Sequence, residues 1–229
     1  VQAACQDAGV TQELLKEGLH RDLLVKVELG VVGEDAGGCA VAARTRLPRG
    51  IYVDPYELAS LQQHNSTKAV LIPDVVDVEA PEYLATDLLV LLYLEPDPWC
   101  SHCFRGVLPV HGRYHRPAED REEALVVLKS PEVLVCCCDS QLSECWKPAE
   151  VAAPCSGKTK DSCQWYSVTH KPAQEELILQ VPVGLRQHSA LVCVVTLLAT
   201  VLCSSLILGA VCSYGCFSPG TSSEQRQPG

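Results

Sequence analysis

The sequence predicts a mainly β protein, in which an antiparallel, sandwich-like domain stabilised by disulfides is followed by one membrane helix near the C-terminus. Short runs rich in Val, Leu and Ile recur about every ten residues between Pro, Gly or acidic residues, which favours a sandwich over a βαβ fold. Cysteine is abundant, with 14 in 229 residues. A long apolar stretch without charge follows the domain.

Nine runs are predicted to be strands from their aliphatic content and partly alternating pattern. They cover residues 21–29, 39–47, 50–53, 68–72, 88–94, 105–110, 124–128, 133–138 and 176–181. One short helix is predicted after Asp54, because Pro55 suits the first helical position and Glu57 the third. Residues 138–171 are rich in cysteine and are predicted to be irregular.

The stretch between Arg186 and Glu224 contains no Asp, Glu, Lys or Arg, and residues 190–212 are continuously apolar. As a helix this core would span roughly 34 Å, enough to cross a hydrocarbon layer of about 30 Å. Backbone groups in lipid must bond within the segment, so a single membrane helix is predicted. The chain therefore divides into a domain at 1–186, a transmembrane segment at 187–213 and a short disordered tail at 214–229.

The formal net charge of −10 lies in the domain, which argues against nucleic acid as a partner and against adhesion to anionic lipid. No Gly-rich phosphate loop, paired-carboxylate motif or Ser/His/Asp arrangement indicates a cofactor or a small-molecule substrate. The chain begins at Val1 and contains no Met, so we expect a processed or truncated start.

Two features indicate the compartment of the domain. Asn65 is the sole asparagine, and it lies in Asn65-Ser66-Thr67, an acceptor for N-glycosylation. Ten cysteines precede the apolar run without clear metal spacing, which favours an oxidising compartment and disulfides. We therefore expect the domain in the lumen. A cytosolic, tail-anchored adaptor is the alternative, since charges flanking the helix do not decide its orientation.

Nine of the ten cysteines before the helix are the candidates for disulfides, while Cys5 lies at the very start of the chain. The candidates are Cys39, Cys100, Cys103, Cys136, Cys137, Cys138, Cys145, Cys155 and Cys163. Their pairing is left open, because connectivity cannot be read from sequence.

Residues 99–103 (WCSHC) resemble the active-site run of luminal disulfide isomerases, in which a helix N-terminus lowers the pKa of the first thiol. Prolines before the run and strand-like residues after it argue against such a helix, so a structural disulfide is favoured. A luminal thiol-disulfide oxidoreductase using Cys100 and Cys103 is the alternative. The same pair followed by His111 and His115 allows a zinc hypothesis, with a shorter gap than zinc fingers use.

A basic and aromatic stretch interrupts the otherwise acidic domain. Its polar residues are His111, Arg113, Tyr114, His115 and Arg116. Arginine forks suit phosphate or carboxylate, so an anion site is one hypothesis. The alternative is a strand end whose charges pair with acids of the domain itself.

The membrane helix carries a stripe of small and hydroxyl residues at three- and four-residue steps. The stripe comprises Ser189, Cys193, Thr196, Thr200 and Ser204. Such residues let a neighbouring helix approach closely and hydrogen bond, so the stripe is the candidate face for an intramembrane partner. The alternative is exposure to lipid, with the hydroxyls bonded back to their own helix. Cys212 and Cys216 are candidate palmitoylation sites near the membrane edge.

Six segments together, in this order along the chain, resemble the PIG-X family, the phosphatidylinositol-glycan biosynthesis class X proteins with Pbn-type counterparts in yeast. They are residues 18–26 (GLHRDLLVK), 50–61 (GIYVDPYELASL), 108–117 (LPVHGRYHRP), 150–155 (EVAAPC), 163–165 (CQW) and 181–185 (VPVGL).

The resemblance implies a single-pass type I protein of the endoplasmic reticulum membrane that has no catalytic residue or cofactor of its own. It implies a partner, PIG-M, the multi-span enzyme that adds the first mannose to the glycosylphosphatidylinositol (GPI) precursor from dolichol-phosphate-mannose. On this resemblance we expect a chain that binds and stabilises that mannosyltransferase.

Overall fold

The computed structural model describes residues 8–29, 39–137, 146–151, 153–155, 163–172 and 176–215. The chain divides into two compact units, Val1–Arg116 with Arg121–Val183 and Pro117–Asp120 with Gly184–Gly229. The described strands and a short helix belong to the first unit, and the long apolar helix belongs to the second. Most of the tail predicted at 214–229 lies outside the described residues.

The mainly β prediction is confirmed. The described strands are β1 (Ala8–Leu15), β2 (His20–Glu28), β3 (Cys39–Leu47), β4 (Ile51–Tyr52), β5 (Ala69–Ile72), β6 (Leu88–Pro96), β7 (Cys103–Gly112), β8 (Glu123–Leu128), β9 (Glu132–Cys137), β10 (Lys147–Pro148), β11 (Tyr166–Val168), β12 (His170–Pro172) and β13 (Leu177–Pro182). The helices are α1 (Pro55–Gln63) and α2 (Ser189–Gly215), and 3₁₀ turns lie at Glu82–Leu84 and Arg186–His188.

Eleven of these strands form one curled sheet in the order β10-β11-β9-β3-β6-β7-β2-β1-β12, with β4 beside β7 and β5 beside β6. Strands β8 and β13 form a separate antiparallel pair. Strand pairing is antiparallel, as predicted, except where β1 runs parallel to β12. Strands β6 and β7 share two register positions, Glu95↔Arg105 and Pro96↔Phe104, and the sheet turns there from one layer to the next.

The main core lies between the two layers of the sheet. Val25 and Leu108 from β2 and β7 belong to the same buried cluster as Val90 and Val133 from β6 and β9. Each aliphatic side chain removed from water in this way contributes about 1.5–3 kcal/mol. Alternating residues from two layers that meet in one core are the arrangement of a sandwich, which confirms the sandwich-like prediction.

The outward face of β3, β6 and β9 is also buried, and a second cluster covers it. Trp165 is fully buried there, and its indole Nε1 donates to the Ala153 carbonyl at 3.2 Å. Tyr93 of β6 donates its hydroxyl to the Pro154 carbonyl at 2.8 Å. Burial on both faces explains why β6 reads as a continuous apolar run instead of an alternating one.

Helix α1 begins where the sequence predicts. The Asp54 carboxylate accepts hydrogen bonds from the backbone N–H groups of Tyr56 at 2.8 Å and Glu57 at 3.4 Å. Two N–H groups that the helix itself cannot satisfy are therefore bonded, and Pro55 occupies the first turn. The cap therefore holds the first turn of the helix, in which Glu57 lies.

Helix α2 supplies the apolar segment of the second unit. Among the described residues one helix is long and apolar enough to cross a membrane, Arg186–Ser213, with 28 residues and a mean hydropathy of 2.7. The chain before it is held locally, because Ala118 donates to the Gly184 carbonyl at 3.0 Å and Arg186 donates to the Ala118 carbonyl at 2.8 Å. The Arg186 guanidinium also lies 3.1 Å from the Glu119 carboxylate.

Candidate functional site

Among the described residues, three disulfides join six of the nine candidate cysteines. The pairs are Cys39–Cys137, Cys100–Cys103 and Cys155–Cys163. Cys136 is buried in the second cluster with Trp165. Cys138 and Cys145 lie outside the described residues, as does Cys5. The first pair ties the start of β3 to the end of β9, while the third closes the segment that covers Trp165.

The Cys100–Cys103 disulfide lies in the turn between β6 and β7. The turn is closed by backbone hydrogen bonds, from Asp97 N to the Cys103 carbonyl at 2.8 Å and from Cys103 N to the Cys100 carbonyl at 3.2 Å. Cys103 is the first residue of strand β7. A helix N-terminus, which would lower the pKa of a reactive thiol, is therefore replaced by a strand, and the geometry favours the structural disulfide over the oxidoreductase.

The zinc hypothesis based on these cysteines is wrong. Cys103 and His111 lie near opposite ends of β7, about 27 Å apart at the rise of a strand. Cys100 and Cys103 are bonded to each other and do not supply thiolates. His115 has a partner elsewhere, since its Nδ1 lies 2.9 Å from the Arg113 carbonyl.

Arg113, in the basic stretch, makes contacts that support the fold of the first unit. Arg113 is buried, and its Nη1 donates to the carbonyls of Asp77 at 2.7 Å and Ala80 at 2.6 Å. Its guanidinium lies 4.5 Å from the centre of the Tyr52 ring. Burial lowers the pKa of Arg113, against the opposing effects of Tyr52 and Asp77. The prediction of a strand end whose charges are satisfied within the domain fits these contacts better than the anion site does.

His111 meets two residues from distant parts of the sequence. Its Nε2 lies 2.8 Å from Oε2 of Glu57 in α1, and Nε2 of His20 lies 3.5 Å from Oε1 of the same carboxylate. His20 and His111 are direct cross-strand partners on β2 and β7, with ring centres 4.3 Å apart. Tyr52 stacks on His111 from the other side at 5.1 Å. We call His20, Glu57 and His111 the histidine cluster.

The sequon follows the C-terminus of α1. Asn65 is exposed and has a positive φ of 54°, a conformation that asparagine tolerates better than most residues. Thr67 is buried, and its hydroxyl donates to the Val107 carbonyl at 2.9 Å. The side chain that would carry a glycan therefore faces solvent, while the threonine of the same sequon fastens the loop to β7.

The predicted stripe lies on the exposed surface of α2. At 100° per residue its five members fall within a sector of about 80°. The Thr200 hydroxyl donates to the Thr196 carbonyl at 2.8 Å, so this hydroxyl bonds back to its own helix. Because the Thr200 hydroxyl is bonded within its own helix, Thr200 can offer a neighbouring helix a small side chain for close packing. Cys216 lies outside the described residues.

The β8–β13 pair has an apolar outward face that the sequence analysis missed. Val126, Leu128, Leu179 and Val181 point into the core. On the opposite side, Leu125 is 59% exposed and Ile178 52%, and Val127 pairs with Ile178 across the two strands. The alternation of these strands contained the signal, but both alternating sets include large aliphatic residues, so the sequence does not show that Leu125, Val127 and Ile178 lie on the exposed side. We call Leu125, Val127 and Ile178 the outer β8–β13 face.

The fold and these sites define a class of protein, a disulfide-bonded β domain followed by one apolar helix. Three of the four buried polar side chains among the described residues, those of Gln12, Thr67 and Arg113, donate to backbone carbonyls. Such groups support the fold, whereas catalytic groups converge on a cleft where a substrate can be held.

The chain belongs to the PIG-X / PBN1 family, which matches residues 16–212. It is 48% identical over 220 residues to the human protein named "GPI alpha-1,4-mannosyltransferase I, stabilizing subunit", an alignment that covers 95% of this chain and 85% of the human one. The rat and mouse proteins of the same name are 48% and 47% identical over the same length and cover 87% and 86% of their own chains.

Proposed function

We propose that this protein is the stabilising subunit of GPI mannosyltransferase I and has no catalytic activity of its own. The observation that carries the proposal is the 48% identity over 95% of the chain with relatives that bear this name. The contacts of the domain agree, because its buried polar groups bond to the fold and its cysteine turn has no helix that would activate a thiol. The protein would act on the amount of active enzyme.

The partner we infer is the multi-span catalytic mannosyltransferase, PIG-M, which adds the first mannose of the GPI anchor. An enzyme with a lipid-linked sugar donor needs several membrane helices to hold that donor. This chain offers one such helix among its described residues, so the catalytic site belongs on the partner. We place the complex in the endoplasmic reticulum membrane, with the disulfide-bonded domain in the lumen and Asn65 as its glycosylation site.

Two surfaces would contact the partner. Within the membrane it is the stripe of Ser189, Cys193, Thr196, Thr200 and Ser204, where small side chains allow close packing of helices. In the lumen it is the outer β8–β13 face, because exposed aliphatic side chains on a paired strand gain free energy when a partner removes them from water. Strand β13 ends seven positions before α2 begins, so the two elements are neighbours in sequence.

The experiment returns the full chain to cells that lack it, purifies it in mild detergent and identifies the bound membrane protein. Thr196→Leu with Thr200→Leu adds bulk to the stripe, and Leu125→Lys with Ile178→Lys adds charge to the outer β8–β13 face. We expect each pair to lower the co-purified mannosyltransferase by about tenfold, the effect of roughly 1.4 kcal/mol of lost binding.

Matched controls separate these contacts from general damage. Val195→Leu with Val201→Leu adds bulk on other sides of α2, and Thr11→Lys adds a charge to an exposed position of β1. Thr200→Val keeps the shape of the side chain and removes its internal hydrogen bond, so it should also bind normally. A parent chain that co-purifies no mannosyltransferase would refute the proposed function. Variants that bind like the parent would refute the two surfaces.

A further inference from the structure

We propose that the histidine cluster is a binding site for Zn²⁺ that fastens helix α1 to the sheet. His20, His111 and Glu57 each offer one ligand atom, an imidazole nitrogen or a carboxylate oxygen, and these three atoms all lie within 4.8 Å of one another. Two imidazoles and one carboxylate form a ligand set that zinc uses in proteins, with water in the fourth position. The inference is independent of the stabilising role and of the partner proposed above.

The geometry is close to what the ion requires. Ligand atoms bound to zinc at about 2.0–2.1 Å in a tetrahedron lie roughly 3.3 Å apart. The contacts from the Glu57 oxygens to His111 at 2.8 Å and to His20 at 3.5 Å lie on either side of that value. Small rotations of three side chains would open the cluster enough for an ion, and the ion would replace the hydrogen bond between Glu57 and His111.

The site is built on regular structure. His20 and His111 face each other in a fixed register at the β2–β7 pairing, and Glu57 lies in the capped first turn of α1. Tyr52 stacks on the ring of His111, and the guanidinium of the buried Arg113 lies over the ring of Tyr52. Ligands on strands and helices whose rings are held by neighbours keep their positions better than ligands on loops.

The site is also accessible to an ion from solvent. The side chains of His20, Glu57 and His111 are 46%, 32% and 20% exposed. Water can therefore reach the open fourth position. Glu57 would ordinarily bond back to the N-terminus of its own helix as the partner of the cap, whereas here its two oxygens meet two imidazoles.

The test uses the full chain in detergent, stripped of metal with a chelator. Its thiols are first blocked by alkylation so that cysteines do not bind the ion. Titration with ZnCl₂ in a calorimeter should give one site per chain. At a free concentration roughly 100 times the Kd, zinc should raise the Tm of a domain of this size by about 5–10 °C.

His20→Ala, His111→Ala and Glu57→Gln should each weaken zinc binding by roughly tenfold or more. His102→Ala, an exposed histidine in the β6–β7 turn, is the matched control and should bind like the parent. If the His111 variant fails to fold, the result for the more exposed His20 decides, with circular dichroism of the metal-free protein as the check of folding. A thiol-blocked parent that binds no zinc, or histidine variants that bind it normally, would overturn the proposal.

Discussion

Tyr93 shows how one side chain connects the sheet with the segment that covers it. The residue lies on the outward face of β6, with its ring 6.1 Å from the ring of Trp165 and its hydroxyl bonded to the Pro154 carbonyl. Burial, helped by the neighbouring Cys136, raises the pKa of Tyr93 to about 12. The folded protein therefore holds this phenol in its neutral, hydrogen-bonded form well above the pH at which an unfolded chain releases the proton.

We expect Tyr93→Phe to lower the free energy of unfolding by about 1 kcal/mol at pH 7, because the Pro154 carbonyl loses a buried hydrogen bond. The difference should shrink with rising pH. The unfolded parent loses its phenol proton near pH 10 and the folded parent near pH 12, so the parent loses stability across that window and the variant does not. Thermal unfolding of the full chain in detergent at pH 7 and pH 11 measures both effects.

Phenylalanine keeps the ring against Trp165. A loss in the free energy of unfolding at pH 7 much larger than the predicted one would therefore show that the ring contact had changed as well as the hydrogen bond. A difference between parent and variant that stays constant from pH 7 to pH 11 would contradict the raised pKa of Tyr93.

At the scale of elements, the disulfides differ in how much chain they close. Cys39–Cys137 joins β3 and β9 across 98 positions, whereas Cys100–Cys103 closes a turn of three. Chain-entropy arguments give about 5 kcal/mol of stabilisation for the first loop and about 2 kcal/mol for the second. The long crosslink should therefore dominate the contribution of these two bonds to stability.

We expect Cys39→Ala with Cys137→Ala to lower the Tm by at least twice as much as Cys100→Ala with Cys103→Ala, which serves as the matched control. Thermal unfolding of both double variants measures the difference. Equal losses in Tm would contradict this prediction and would mean that residual pairing between β3 and β9 already restrains the unfolded chain.

An insulin-reduction assay on the same proteins tests the alternative that the protein is a thiol-disulfide oxidoreductase. Turnover by the parent that is lost when Cys100 and Cys103 are replaced would indicate an oxidoreductase.

Sequence patterns predicted the strands whose inward positions are aliphatic and failed where they are not. Cys39–Leu47 matches its prediction to the residue, and the prediction for β6 stops two residues early. Strand β1 was missed because Gln12 occupies the third inward position after Ala8 and Val10, where a pattern search expects an apolar side chain. Gln12 is tolerated in the core because its amide donates to the Leu128 carbonyl.

The histidine cluster could not be predicted, although Glu57 lies in the predicted helix and His20 and His111 directly adjoin the strands predicted at 21–29 and 105–110. Glu57 was recognised as part of a helix cap, and His111 as part of a basic stretch. His20 lies 37 positions before Glu57 in sequence, and nothing local indicates that β2 pairs with the end of β7. Contacts of this kind depend on strand order, which a single sequence does not reveal, whereas the disulfide turn and the sequon are local and were found.

At the scale of the whole molecule, the orientation of the domain remains a prediction that one side chain can test. If Asn65 faces the lumen, a peptide-N-glycosidase should lower the apparent mass of the protein from membranes by about one glycan, and Asn65→Gln should abolish the shift. Gel electrophoresis of the treated full chain measures it. Asn65 is exposed but has a positive φ, so Asn65→Gln should lower the Tm slightly, whereas Asn65→Asp should abolish the shift with the Tm nearly unchanged, because aspartate tolerates that conformation.

A domain on the cytosolic side would show no shift in either the parent or the variants. That outcome would support the tail-anchored adaptor and would contradict the luminal placement on which the disulfides are interpreted.

The parallel pairing of β1 with β12 sets the time at which this sheet can be completed. Ala8 meets His170, so the edge of β1 has no partner until a further 162 residues have been made. At about 5–20 residues per second, translation needs roughly 8–32 s to supply that strand. The outer side of β1, the first of the described strands, is therefore paired by β12, the last but one of them, shortly before the membrane helix is synthesised. Ribosome stalling before residue 170 would leave an open sheet edge, the feature most prone to aggregation.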